Sequence, residues 1–326
     1  MTLHGVSVVI PLFNKKKYLR KTLESVLAQD YENFEVIVVD DGSTDGSYEL
    51  VENEFKKSVR LIKQRNAGPG PARNRGVNEA RFDLIAFIDA DDIWCEKHLS
   101  ELVKLYENDP TAGLYSTKGK KLAGIEADFF TPKYSGSWRY VDYVSELAAQ
   151  TVIIHTSSVM LSKVDFLSVG GFRDFRPGQD VDLWLRLALQ FPVVQSDSVT
   201  SCHRLDTGGI MDQSDIFGLK DSGSLPQCIG QVSPLFGAMT EIRDRFDCRS
   251  DDYLRVNYLI NRRLLSMIRV LLVNGRQDKA RNLSKLFSHP YSLSLFSYRL
   301  FLMFPFGFAG KFVNAFRRVK RVFSGD

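Results

Sequence analysis

The chain has 326 residues, 44% of them from the set AVILMFWYC and 25% charged, a composition that excludes a disordered, collagen-like or disulfide-framework protein. Its formal charge of +4 is unevenly spread, because residues 283–326 hold seven basic side chains against one acid and leave the first 282 residues at −2. So nearly neutral a body is not a general nucleic-acid-binding surface, and no nucleic-acid partner is expected.

The N-terminal apolar run Val6 to Ile10 is only five residues long, is ended by Pro11 and is followed by lysines, the wrong order for a signal peptide. Short apolar runs and longer amphipathic ones then alternate: 6–10 and 15–29, 34–39 and 45–55, 59–62 and 70–81, 84–88 and 96–107. That order predicts four strand–helix pairs and a mostly parallel, helix-covered α/β sheet. Runs such as "FEVIVVD" are nearly continuous in Val and Ile, as strands buried on both faces are. Ligands of such sheets bind beyond the carboxyl ends of the strands. The residues there are Pro11 to Asn14, Asp40 and Asp41, and Asp89, Asp91 and Asp92.

Five carboxylates on one edge repel each other unless a cation or hydrogen-bond donors share the space. Magnesium or manganese takes one or two carboxylates and completes its shell with water and phosphate oxygens, so Asp91, with Asp89, is the candidate metal site. The competing reading is that these residues cap the helix near Glu96, but one cap uses one carboxylate and "FIDADDIW" has three. In "VVDDGSTDGS", Ser43, Thr44 or Asp45 suits the start of the next helix, while Asp41 is free to accept a pyrimidine N–H. In "NAGPGPARNRG", Arg73 and Arg75 stand at a helix start on the same edge, suited to a nucleotide diphosphate. The plain alternative for both is a solvated helical arginine.

Past residue 113 the pattern is mixed, with a strand expected near 159–161, a helix over 181–190 and a strand over 193–204. Asp180 opens that helix, whose N-terminus would hold it ionised and able to accept a hydroxyl proton, although a helix cap reads the same way. Residues 208–237 read as a loop and 238–287 as helices. Domain boundaries are therefore expected at 1–237, in two halves over 1–112 and 113–237, and at 238–326. Cysteines 95, 202, 228 and 248 form no C-x-x-C pair and read as reduced thiols, consistent with a cytoplasmic setting.

The segments "SVVIPLFNKKKYLRKTLESVLAQ", "EVIVVDDGSTDGS", "NAGPGPARNRGVNEA" and "FIDADDIW" resemble the nucleotide-sugar half of the family 2 inverting glycosyltransferases, whose fold is GT-A. The likeness is close over residues 5–110 and weaker at "GGFRDFRPGQDVDLWLRL", where Gln179 stands in place of the family's Glu. It implies a nucleotide-sugar donor, with UDP expected, and Mn2+ or Mg2+. It places the catalytic base on Asp180, the nucleotide pocket on Pro11, Phe13, Asn14, Asp41, Arg73 and Asp89, and the metal on Asp91 with Asp89. His203 is a further metal or diphosphate contact by the same likeness, in a segment "CHRLDTGG" that has Asp206 where the family often has His.

Residues 283–326 interleave eleven aromatics with the seven basic residues, and "GKFVNAFRRVKRVF" has the make-up of a segment lying on an anionic membrane surface. The rival is a helix packing its Phe stripe on protein, including a second copy through the C-terminal helices. Residues 286–310 carry only Arg299 as a formal charge but are broken by Pro305 and Gly307, and are not read as a membrane span. A peripheral position on the cytoplasmic face suggests a glycan or lipid-linked saccharide acceptor. A sugar-phosphate nucleotidyltransferase and a dinucleotide-dependent dehydrogenase both need glycines after the first strand, and "IPLFNKKKYL" has none. An inactive membrane-tethered nucleotide-binding scaffold is the non-enzymatic rival.

Overall fold

The structure, a computed structural model, describes residues 4–149, 151–152, 154–175, 178–205, 207, 234–248 and 250–273. The chain divides into two units, Met1–Ile216 and Phe217–Asp326.

The first unit is built on one sheet of order β3-β2-β1-β4-β8-β6-β9-β5, with β7 paired to β9. Four parallel strands begin it: β1 (Val6–Leu12), β2 (Phe34–Asp40), β3 (Arg60–Lys63) and β4 (Leu84–Phe87). The helices between them are α1 (Lys16–Leu27), α2 (Ser47–Glu54) and α3 (Pro69–Glu79), while a two-residue β5 (Ile93–Trp94) precedes α4 (His98–Asn108). The expected strand–helix order is present, with only β5 added. Val8, Val9, Ile10, Ile37, Val38, Val39, Ile85 and Phe87 are fully buried, at about 1.5–3 kcal/mol for each large side chain, which is why these strands read as unbroken apolar runs. Leu19, Thr22, Leu23 and Val26 form the single buried stripe by which α1 covers the sheet. On α3, a Cβ at Gly76 would stand 2.3 Å from Val9 Cγ1, so the glycine permits that helix to lie directly on β1.

Pro11 does not end β1, which continues to Leu12 in register with Asp40. The Ile88 N–H donates to Val9 O, so residues 9 and 11 turn their backbone groups toward β4. Because β4 stops at Phe87, the N–H that Pro11 lacks has no ladder partner to lose.

The chain runs outward from β1 through β2 to β3 and then returns to β4 on the other side of β1. The crevice where that direction reverses lies at the carboxyl ends of β1 and β4. Farther along come β6 (Leu114–Leu122), β7 (Trp138–Tyr140), α5 (Tyr143–Ala149), β8 (Val159–Ser162), α6 (Lys163–Ser168), α7 (Gln179–Ala188) and β9 (Val193–Arg204). β8, α7 and β9 fall where expected, whereas β6, β7, α5 and α6 were not foreseen. Since β8 is antiparallel to β4 and to β6, and β9 is parallel to β6, β9 ends on the same rim as β1, β2 and β4.

The second unit contains α8 (Pro234–Arg243), which starts four residues before the helical stretch expected from 238, and α9 (Asp251–Val273). The Arg243 guanidinium donates to Asn257 Oδ1 at 3.3 Å between them. Among the described residues no helix is long and apolar enough to cross a membrane. The basic, aromatic segment 283–326 and residues 208–233 lie outside the described residues.

Candidate active site

The rim carboxylates are not helix caps: α4 is preceded by Lys97 and has no side-chain cap. Each acid after β4 has its own cation. Arg73 Nη2 donates to Asp89 Oδ1 at 2.5 Å, Lys15 Nζ lies 2.6 Å from Asp91 Oδ2, and His203 Nδ1 lies 3.1 Å from Asp92 Oδ2. Ser157 ties two of them together, its Oγ accepting the Asp89 N–H at 3.0 Å and donating to Asp92 at 2.5 Å. Burial pushes the Asp89 carboxyl up, but the Arg73 guanidinium, with His203 and Lys15 beyond it, outweighs burial and holds the group below the usual carboxylate range. Burial pushes the His203 imidazole down, yet Asp92, Asp89 and Asp91 together raise it to about 9, so it stands protonated at neutral pH.

Asp92 also accepts the Arg204 N–H at 2.9 Å and is fully buried. It therefore fastens β9 to the rim, whereas the Asp89 and Asp91 side chains keep some exposed surface. His155 stacks on His203 with ring centroids 5.1 Å apart and planes 13° apart, and burial first, then the His203 charge, lowers it to about 4. It is a neutral ring beside a charged one. Neither Lys15, Ser157 nor His155 was singled out in the sequence, although Lys15 directly follows the strand-end residues.

Other expected pocket residues serve first to shape the loops. Asp41 is buried with both oxygens occupied: Oδ1 accepts Gln64 Nε2 and the Ala67 N–H at 2.8 Å each, and Oδ2 accepts the Gly68 N–H at 2.7 Å. A carboxylate offers about four acceptor positions, so one is left for a base. Gly68, at φ 102°, begins α3 in a conformation few other residues tolerate. Asn14 has φ 53°, its Oδ1 accepts the Thr44 N–H at 2.8 Å, and its own N–H donates to Ser43 Oγ at 3.1 Å. The loops after β1 and β2 are thus one unit, with Asp45 accepting the Lys16 N–H at the start of α1 and the Ser47 N–H at the start of α2. Phe13 is 44% exposed beside them, an apolar face available for stacking. Arg75, expected on this edge, instead pairs outward with Glu79 at 3.0 Å and is mostly exposed.

Asp180 is the second residue of α7, behind Gly178 at φ 95°, so it is not the cap. Its Oδ1 accepts the Val181 N–H at 2.9 Å. Burial pushes the carboxyl up, the helix-end N–H and the Arg73 charge pull it down, and Asp89 adds to the rise; the net direction is upward. Desolvation is thus a larger effect on this carboxyl than the helix end. Behind it, Arg186 grips Asp182 and donates to Gly171 O at 2.7 Å and to Val169 O, fixing the turn that leads into α7. Gln179 is buried against Gly70 of α3, with no partner for its Oε1 among the described residues.

The donor set suits a hard divalent ion. Asp89 and Asp91 offer only oxygen, and Asp91 Oδ2 already holds a cation, the Lys15 ammonium. Among the described residues no three His, Cys, Asp or Glu side chains gather into a cluster that could hold a metal ion by themselves.

Residues 7–156, which hold β1 to β6 and the Asp89–Asp91 rim, match the family described as glycosyl transferase family 2. This stretch is a family 2 glycosyltransferase domain. Over 210 residues the chain is 31% identical to an uncharacterized glycosyltransferase of Rickettsia felis, covering 62% of this chain and 33% of that protein. It spans about a third of that relative's length. Among solved structures it resembles Staphylococcus aureus TarS 1–349 in complex with UDP-GlcNAc, with a TM-score of 0.65 and 19% identity over 87% of this chain and 80% of that one. The mannosyltransferase PcManGT of Pyrobaculum calidifontis, in complex with GDP-Man and Mn2+, gives 0.53 and 17%, over 90% and 77%. The glycosyltransferase domain accordingly has the expected GT-A fold, a central sheet flanked by helices.

Proposed function

We propose that the protein is an inverting glycosyltransferase that moves a sugar from a nucleotide diphosphate donor, UDP-linked by preference, to a hydroxyl of a glycan or lipid-linked saccharide. The observation that carries this reading is the pair of ion pairs on one rim, Arg73 with Asp89 at 2.5 Å and Lys15 with Asp91 at 2.6 Å, which offers cations and oxygen donors together to a diphosphate. In this reading Asp180 takes the proton of the acceptor hydroxyl on its oxygen not bonded to Val181. The acceptor oxygen forms its bond to the anomeric carbon as the bond from that carbon to the diphosphate breaks on the opposite face. A carboxyl raised above its ordinary value is a better base than an exposed one, provided it stays ionised at the working pH.

Arg73, paired with Asp89, supplies positive charge for the departing diphosphate, and the charge of His203 also acts on this rim. Phe13 would stack on the base, Asp41 would offer it its remaining acceptor position, and Pro11 and Asn14 shape the loop that receives it. A divalent cation, when bound by Asp91 and Asp89, adds charge neutralisation at the diphosphate oxygens. Both solved neighbours were captured with nucleotide sugars, one of them with Mn2+, which supports the donor class and the metal. The basic aromatic segment 283–326 is proposed to rest on the cytoplasmic face of the membrane, near a lipid-linked acceptor.

Thermal unfolding in the presence of UDP-sugars and Mn2+ tests the donor class, since a ligand bound at 100 times its dissociation constant adds about 2.7 kcal/mol to native stability. The reading expects a shift with a UDP-sugar that is enlarged by Mn2+ in the wild type and no longer depends on Mn2+ in Asp91→Ala. No shift with any nucleotide sugar would overturn it.

A further inference from the structure

We propose that Lys15 is an exchange ligand: its ammonium holds Asp91 while the site is empty and passes to the donor's diphosphate when a divalent cation takes Asp91, so that cation and diphosphate bind only weakly apart and strongly together. This rests on the nucleotide-sugar reading above and adds to it an assignment for Lys15 and an order of events.

The argument begins with where the lysine is held. A surface lysine is normally a mobile, hydrated charge, yet the Lys15 side chain is only 16% exposed and lies 2.6 Å from an Asp91 side chain exposed by 11%. Its Nζ also donates to Thr207 O at 3.0 Å and lies 3.4 Å from Thr207 Oγ1. Its backbone is fixed too, because the Lys15 N–H donates to Ser47 Oγ at 3.1 Å at the joined β1 and β2 loops. The ammonium is therefore delivered to Asp91 by design of the loop.

A magnesium-like ion would sit about 2.1 Å from the same Asp91 oxygen, and so at most about 4.7 Å from Nζ where it now stands. A double and a single positive charge that close, in a site mostly shut off from water, repel strongly. Asp89 offers no relief, because Arg73 already neutralises it at 2.5 Å. The ammonium must then leave Asp91, and it needs another anion when it does, since it is too buried to be fully hydrated. In the proposed reaction the only new anion entering this rim is the diphosphate, which carries enough oxygens to face both the ion and the lysine. Conversely, a diphosphate arriving without a cation finds the Lys15 ammonium committed to Asp91. Each ligand thus removes the obstacle to the other, and the coupling must be equal in both directions.

The test uses the full chain, with Mn2+ alone, UDP alone and both together, followed by isothermal titration and by the paramagnetic resonance signal of free Mn2+. In the wild type, UDP should tighten Mn2+ binding by about tenfold or more, within the usual range for coupled sites. Lys15→Met should bind Mn2+ alone about tenfold tighter than the wild type, because its competitor is gone, and should lose most of the coupling. A lysine that merely braces the loop would, on removal, weaken every ligand alike. Asp91→Asn, which frees the ammonium, should bind UDP without metal about fivefold tighter than the wild type and should lose Mn2+ binding. Unchanged or weaker Mn2+ affinity in a folded Lys15→Met overturns the exchange. Should that variant fail to fold, Asp91→Asn decides alone, and no gain in metal-free UDP binding overturns it. A wild type that binds no UDP even with Mn2+ removes the nucleotide-sugar reading itself, and the exchange with it; normal UDP binding without coupling removes only the exchange.

Discussion

Arg186 and Asp182 stand one turn apart on α7, joined at 2.7 Å through Nη2 and at 3.0 Å through Nε, in a place closed to water. The same guanidinium reaches back to the carbonyls of Val169 and Gly171, so one side chain joins the helix to the turn before it. Truncating Arg186 to Ala leaves the fully buried Asp182 carboxylate facing, among the described residues, the more distant Arg173 at 3.5 Å. A loss of about 3–5 kcal/mol is expected from denaturant unfolding, the usual cost of breaking a buried pair on one side. Arg186→Lys should recover little of it, since one ammonium cannot serve a carboxylate and two carbonyls at fixed angles. A loss below about 1 kcal/mol would place the stability of this turn elsewhere.

Gly70 and Gln179 give a test of how α3 and α7 are held together. A Cβ at position 70 would fall 2.4 Å from Gln179 Oε1 and 3.3 Å from Arg173 O. Gly70→Ala should therefore cost about 1 kcal/mol, because the buried amide must move aside and the Arg173 carbonyl is already close. Gln179→Ala removes an oxygen that has no partner among the described residues and vacates that space. Thermal unfolding of the pair should show the double variant regaining part of the loss, with a coupling of about 0.5–3 kcal/mol, whereas simple additivity would show that the two residues do not meet.

His98 predicts how the fold responds to acid. It is fully buried, stacks on Trp94 at 4.2 Å and lies 2.7 Å from Thr200 Oγ1, and burial lowers its imidazole to about 3. The folded value lies below the unfolded 6.5, so the unfolded chain takes up the proton first. Stability is complete above pH 6.5 and shrinks as pH falls toward 3, by about 2 kcal/mol at pH 5 from this residue alone. His98→Phe keeps the stack and removes the proton site. The difference in unfolding free energy between pH 7 and pH 5 should shrink by about that amount in the variant, and an unchanged difference would assign the acid response to other groups.

How far the molecule could be read in advance follows from which forces act locally. The parallel half was legible because β1, β2 and β4 are buried on both faces, so burial alone writes them into the sequence as apolar runs. β6 was not, because its first four residues are buried and the rest of "LYSTKGKKL" is mostly exposed, which leaves no single period to detect. In the candidate site, residue type singled out Asp89, Asp91 and Asp180 but did not reveal their partners. Asp91 is answered by Lys15, Asp92 by His203 and Asp41 by the backbone at Ala67 and Gly68, each across many intervening residues. Those pairings decide which acids remain for a ligand, and they exist only once β9 and the loop before α3 come to the rim.

Asp180 carries the most direct test of the proposed chemistry. Its carboxylate must be ionised to accept a proton, so transfer should fall as pH drops through its pKa. Since burial holds that pKa above the ordinary 3.8, the acid limb of kcat should lie above where an exposed aspartate would put it. Asp180→Asn keeps the size of the side chain and an acceptor oxygen for the Val181 N–H but cannot take the proton. Removing a general base costs about 100- to 10,000-fold, so kcat should collapse while UDP-sugar affinity stays within a few-fold of wild type. Asp180→Glu, which restores a base at a shifted distance, should recover part of the rate with an acid limb again present. If Asp180→Asn instead loses donor affinity while the bound donor still reacts at the normal rate, the residue holds substrate and the base must be sought elsewhere on the rim.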